Sequence, residues 1–96
     1  MSNIEFVWDP RKARSNAAKH GVSFEEAKTV FLDDNARLID DPDHSGDEER
    51  FLLIGYSFQA RCLLVSHCYR ESDSIIRLIS ARRATANEEK VYWRFQ

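Results

Sequence analysis

Residues 8–31, WDPRKARSNAAKHGVSFEEAKTVF, spell two helices with a glycine stop between them. Asp9 has the side chain of an N-cap, and Pro10 follows at the first helical position, where its missing N–H costs nothing. Gly21 ends that helix directly after Lys19 and His20, cations placed where the C-terminal dipole favours them. Ser23 opens the second helix, with Glu26 three residues on at capping-box spacing. These signals predict helices over Asp9–His20 and Ser23–Phe31. A 3.6-residue repeat then puts Lys12, Asn16, Lys19 and His20 in one stripe roughly 100° wide. Such a stripe is either a solvated helix face or a docking face for phosphate, with a histidine able to carry a proton near neutral pH.

Working outward, Ile4–Trp8 (IEFVW) is rich in β-formers and reads as a strand. Beyond the helices, Asp33-Asp34-Asn35 is a turn, Arg37–Asp40 a short strand and Asp41–Glu49 a polar loop. Three longer strands follow over Arg50–Ser57, Arg61–Arg70 and Ser74–Arg83, separated by turns at Phe58–Ala60 and Glu71–Asp73. Thr85 and Glu88 form a second capping box, opening a terminal helix that carries Tyr92, Trp93 and Phe95. The order β-α-α-β-β-β-β-α with hairpin-length links predicts an α+β fold, a mostly antiparallel sheet with helices packed on one face and the other face partly open.

Ninety-six residues make one domain, 1–96, and 43% hydrophobic with 11% aromatic content argues against disorder. No apolar run approaches the ~18–20 residues that span a bilayer, so no membrane is expected as a partner. The start, MSNIEFVWDP, lacks the layout of a secretory signal, and a cytoplasmic protein is expected. Cys62 and Cys68 share one strand, roughly 20 Å apart if extended, so they cannot bridge each other within it; two buried thiols fit a reducing compartment. His67 and Cys68, neighbours on that strand, point to opposite faces and make no nucleophile pair.

The formal net charge of −2 hides a split. Eight acids and one arginine lie between Asp33 and Glu49, whereas Arg50–Ala84 holds six arginines against Glu71 and Asp73. Asp41, Asp43, Ser45 and Gly46 imitate a calcium loop, but its twelfth position is Leu52 rather than a bidentate glutamate, so neither calcium nor any other metal or cofactor is expected. Arg61, Arg70, Arg77, Arg82 and Arg83 give the strands a planar-fork chemistry suited to phosphate, the alternative being a wetted sheet face. For Arg77 the alternative is a salt bridge to an acid on a neighbouring element. Glu88 reads most simply as the partner of the Thr85 cap, and Tyr92 either packs on the sheet or presents its hydroxyl to a ligand. Glu49 is a conceivable carboxylate base at the lip of the sheet.

Two blocks carry a resemblance. F-x-W-D-P-x-K-x-x-x-N-x-x-K-H-G-V-S-F-E-E-A, from Phe6 to Ala27, and I-R-x-I-S-A-R-x-A-T-x-x-E-x-x-x-Y, from Ile76 to Tyr92, resemble the BrnT family of type II toxins. The resemblance implies a RelE-like ribonuclease fold and a translation-inhibiting endoribonuclease, neutralised by a BrnA-like antitoxin in a hetero-oligomer that meets operator DNA only through the antitoxin. It implies metal-independent attack of a ribose 2′-hydroxyl on the adjacent phosphorus, which needs a base, cations for the phosphorane and an acid for the leaving oxygen. The expected catalytic set is Arg82, His20, Lys19, Arg61, Arg77 and Glu49, with Lys12, Asn16, Arg83 and Tyr92 touching RNA. The alternative is a non-enzymatic toxin that binds a protein such as gyrase, since one fold can carry both.

Overall fold

The computed structural model describes residues 4–40, 49–70 and 74–94. The acidic run at 41–48, the turn at 71–73 and Phe95 lie outside them. Strand β1 (Glu5–Val7) leads into helix α1 (Pro10–His20). The Asp9 carboxylate accepts the Arg11 N–H at 2.8 Å, and Gly21, at φ 68°, turns the chain out while its N–H closes on the Ala17 carbonyl at 2.9 Å. A residue with a Cβ would be strained in that left-handed conformation. Ser23 Oγ accepts the Glu26 N–H at 3.0 Å and starts helix α2 (Phe24–Lys28).

Helix α2 is shorter than its sequence pattern suggests, tightening into a 3₁₀ turn over Thr29–Leu32. Thr29 explains the change. Its hydroxyl donates back to the Glu26 carbonyl at 2.6 Å and accepts the Phe58 N–H at 3.0 Å, and Val30 adds a second β-branched side chain.

Strands β2 (Arg37–Asp40), β3 (Phe51–Tyr56), β4 (Cys62–Arg70) and β5 (Ile75–Arg83) join β1 in one sheet of order β1-β5-β4-β3-β2. The β2–β3, β3–β4 and β4–β5 pairs are antiparallel, as hairpin links require, while β1 runs parallel to β5. Leu53, Leu63, Val65, Ile76, Leu78 and Ala81 point to one face and bury against Val22, Phe24, Ala27 and Val30. One irregularity keeps β5 in phase with this core. Ser66 pairs with Ser80 but His67 pairs with Leu78, so Ile79 is an extra residue, and Leu78 and Ala81 face the same way despite odd spacing. The shift also decides which face each end arginine takes: Arg82, opposite Leu64, the α3 face, and Arg83, opposite Leu63, the face of α1 and α2.

Helices α1 and α2 share a face as expected; the terminal helix α3 (Ala86–Arg94) does not. Tyr92 packs with Ile54, Cys62 and Leu64, the alternate residues of β3 and β4, so α3 lies on the opposite face. The runs FLLIGY and CLLV are apolar on both faces, and a sheet of that kind needs cover on both.

His67 is fully buried among Phe31, Phe51 and Tyr69, its Nδ1 at 3.1 Å from the Val65 carbonyl and its Nε2 without a partner among the described residues. Burial pushes its pKa below the ordinary histidine value. The folded chain therefore keeps the ring neutral while the unfolded chain protonates it near pH 6.5, so stability is complete above that pH and falls below it. Urea midpoints should drop between pH 7 and pH 5.5, with a His67 contribution of at most about 1.4 kcal/mol per pH unit, the one-proton limit. His67→Phe should flatten that part of the profile; an unchanged slope would rule His67 out as its source.

Candidate functional site

Helix α1 reads PRKARSNAAKH, four lysines or arginines and a histidine with no acid. Its position beside β5 follows from the shortness of β1. That strand covers β5 only from Ile75 to Arg77, leaving the backbone edge around Ala81 without a strand partner. The Asn16 side chain fills the gap. Its Nδ2 donates to the Ala81 carbonyl at 2.8 Å and the Val22 carbonyl at 3.0 Å, and its Oδ1 accepts the Ala81 N–H at 3.1 Å. Asn16 is buried, and both its donors and its acceptor are committed to backbone. Its carboxamide therefore has a positioning role, fixing α1 to β5.

Above this joint, Lys12, Ser15, Lys19 and His20 from α1 meet Ile79 and Ser80 of β5 around an open cleft of about 200 Å³. Lys12, Lys19 and His20 make no ion pair among the described residues. The predicted stripe lines a cleft, Asn16 included although its amide is bound to backbone, and Ser15 and Ser80 add hydroxyls that the sequence reading missed. It also missed Arg11 and Arg14, exposed on the same helix; the absence of acids over residues 10–20 was the signal available.

Arg61 stands near the C-terminal end of α1, but bound. Its Nη2 donates to the Gly21 carbonyl at 3.1 Å, its Nε to Glu26 Oε2 at 3.0 Å, and Nη2 also pairs closely with Glu26 Oε1. Glu26 is almost completely buried and accepts a further bond from Ser57 Oγ at 2.6 Å. Arg61 above all holds the Glu26 carboxyl below the usual range, with help from Ser57 against the opposing effect of burial. Only the Ser23 half of the expected capping box forms, because the Glu26 carboxylate turns inward to the arginine. Exposed Arg83 adds to the positive field on Glu26.

Arg82 lies on the α3 face of the sheet. Its Nη1 and Nη2 meet Glu88 Oε1 and Oε2 at 2.9 and 2.8 Å, while Glu88 Oε1 accepts the Thr85 N–H at 2.8 Å and Thr85 Oγ1 accepts the Glu88 N–H at 3.2 Å. This fork, more than the cap, pulls the Glu88 pKa down to about 2. Arg82 is thus committed to Glu88 and does not line the cleft, although Ser80, which does, sits two residues before it on the same face of β5. Arg77, opposite Cys68, and exposed Glu49, just before the far end of β3, do not line it either. The six residues of β3 put roughly 20 Å between Glu49 and the Tyr56–Cys62 end of the sheet.

Tyr92, expected to touch RNA, is core. It is 3% exposed, and its hydroxyl donates to Asp33 Oδ2 at 2.8 Å. Burial first, then Asp33, pushes its pKa up to about 12. Burial likewise raises the Cys62 thiol to about 11, which removes it as a nucleophile. Among the described residues no three metal-ligating side chains gather.

The family model for the ribonuclease toxin BrnT, of type II toxin–antitoxin systems, matches residues 8–88, a span that includes α1, the cleft and the Arg82–Glu88 pair. The chain belongs to the BrnT family. The crystal structure of the Brucella abortus ribonuclease toxin BrnT, at 1.1 Å resolution, is similar over 85% of this chain and 97% of that one, with a TM-score of 0.64 at 21% identity. That likeness shows a shared fold. No curated protein sequence matches the chain. A BrnT chain belongs to a toxin–antitoxin pair, so an antitoxin is its partner.

The Asn16 joint is testable without any ligand. Asn16→Ala leaves two carbonyls and an N–H without their partner and should lower unfolding free energy by about 2–4 kcal/mol in urea titration. A variant as stable as the parent would return Asn16 to the surface.

Proposed function

We propose that this BrnT-family protein is a metal-independent endoribonuclease of the cytoplasm, which inhibits translation by cleaving RNA and is silenced by a BrnA-like antitoxin in a hetero-oligomer. The observation that carries the reading is the acid-free helix α1, whose Lys12, Lys19 and His20 face an open cleft with no competing carboxylate on their own helix. A phosphodiester in this cleft gains the charge of two ammonium groups, and the serine hydroxyls of Ser15 and Ser80 offer neutral hydrogen bonds. His20 takes the proton of a ribose 2′-hydroxyl as that oxygen attacks phosphorus. The bond to the 5′-oxygen breaks, and a cleft ammonium supplies the leaving oxygen with its proton. A cyclic phosphate end and a 5′-hydroxyl end result, with no outside reactant.

In this reading Arg83 supplies field near the end of α1, Arg61 ties the Gly21 carbonyl to Glu26, and Arg82 holds α3 through Glu88. An antitoxin also has a surface to engage. Exposed Leu32 and Phe58 line a hollow beside Asp33 and Tyr56, Trp93 packs tilted against Tyr56, and exposed Asp34, with Glu89 bound to the Tyr56 hydroxyl, adds acidic character. Exposed apolar side chains gathered in this way support a protein partner, and one with basic flanks.

Purified, antitoxin-free protein should cleave RNA equally with and without EDTA. His20→Ala should slow cleavage by ~10²–10⁴-fold with the fold intact. Lys12→Ala with Lys19→Ala should weaken binding and lower the slope of log affinity against log salt by about 1.4, the value for two phosphate contacts on a single strand. No cleavage of any RNA, or loss on chelation, would overturn the proposal. Arg82→Ala should lower stability and leave that salt slope unchanged.

A further inference from the structure

The opposite flank of α1 carries a second hollow. It has a volume of about 230 Å³ and is lined by Trp8, Phe24, Ala13 and Ala17, with Arg14 and Glu25 at its sides. Its wall is an aromatic pair, Trp8 set edge-on to Phe24 with ring centroids 5.8 Å apart and planes at 80°. Trp8 is half-buried, so its ring still borders the open space. Arg14 is exposed and makes no ion pair among the described residues, while Glu25 is engaged by Lys28 at 3.4 Å. An apolar wall with an indole and a free guanidinium beside it offers the two planar surfaces on which a nucleobase stacks.

The helix itself connects this hollow to the cleft. At 100° per residue, positions 12, 16, 19 and 20 face the cleft and 13, 14 and 17 face the hollow, so the two sites flank one helix about 10–12 Å across. The ridge between them carries Arg11 and Ala18, with Ser15 on its cleft side, all exposed. Ala17 and Ala18 keep the crossing low in its second half, and Arg11 and Arg14 keep it positive in the first. A single strand held by its phosphates at Lys12 and Lys19 therefore has a basic path over α1 to the hollow.

We infer that the Trp8–Arg14 hollow is a stacking subsite for an unpaired nucleobase of the RNA strand that the cleft holds. The inference rests on the RNA-binding reading given above and adds a second contact, sensitive to bases rather than to phosphates. Recognition of single-stranded RNA commonly combines these two terms, a basic track and an aromatic platform.

The chain has two tryptophans, Trp8 and the exposed Trp93, so Trp93→Phe leaves Trp8 as the sole indole reporter in the full-length protein. The probes are a short 2′-O-methyl oligonucleotide, which cannot be cleaved by 2′-hydroxyl attack, and an abasic oligomer of the same length and charge. Binding is read by anisotropy of an end label and stacking by Trp8 emission. The base-bearing strand should bind at least about fivefold tighter than the abasic one and quench Trp8 saturably, while both show the same salt slope. Arg14→Ala, a surface change, should reduce that base-dependent advantage. Equal binding of both oligomers without quenching would overturn the stacking subsite and leave the RNA-binding reading standing. Binding of neither would overturn both. Quenching by the antitoxin, with none by the base-bearing strand, would assign the hollow to the protein partner and overturn the inference.

Discussion

The Asn16 carboxamide does the work of a short strand. Where β1 ends, β5 presents the N–H and carbonyl of Ala81 to an open edge, and one side chain from α1 satisfies both while its second amide hydrogen closes on Val22 at the entry to α2. An amide suits this position because it offers donor and acceptor in the same spacing as a peptide group. Helix, loop and sheet are thereby fixed to each other at one buried point, and the cleft above it inherits that geometry. Lys12, Lys19 and His20 keep their place opposite Ser80 because the residue among them looks inward.

Around that joint, the charged residues divide into those that hold the structure and those that face solvent. Glu26 with Arg61 and Glu88 with Arg82 tie helix starts to the ends of strands. The first pair includes an almost fully buried carboxylate, so removing Arg61 would leave an uncompensated charge and cost far more than a surface ion pair is worth. The second pair is a third to nearly half exposed, and solvent screening keeps its worth modest. Both pairs neutralise arginines that the sequence offers as phosphate ligands. Among the described residues, Arg11, Lys12, Arg14 and Lys19 of α1 make no ion pair, and the acidic average of the chain, with a pI near 5.9, does not describe that helix.

Much of the chain was legible because its punctuation is local. Asp9 and Pro10, Gly21, Ser23, and Thr85 with Glu88 each act within a few residues, so the helix starts and the α1 stop fall where the sequence put them. The antiparallel hairpins follow from link length. The end of α2 was less legible, since Thr29 leaves the helix to bond Phe58, a residue distant in sequence. The same limit applies to Asn16, Arg61, Arg82 and Tyr92. Each is a plausible ligand by residue type, and each is bound to a group that no spacing rule brings near, from Ala81 to Asp33.

By itself the sequence determined the element order, the helix starts, the stripe on α1 and the family to which the two motif blocks point. These depend on caps, periodicity and residue pattern, which act over a turn or a strand. Only the tertiary structure decided which side chains of that stripe face solvent, that α3 covers the second face, and that the extra residue Ile79 puts Arg82 on the α3 face and Arg83 on the other. Those outcomes depend on register and on partners far apart in the chain, where a shift of one residue exchanges the two faces of a strand.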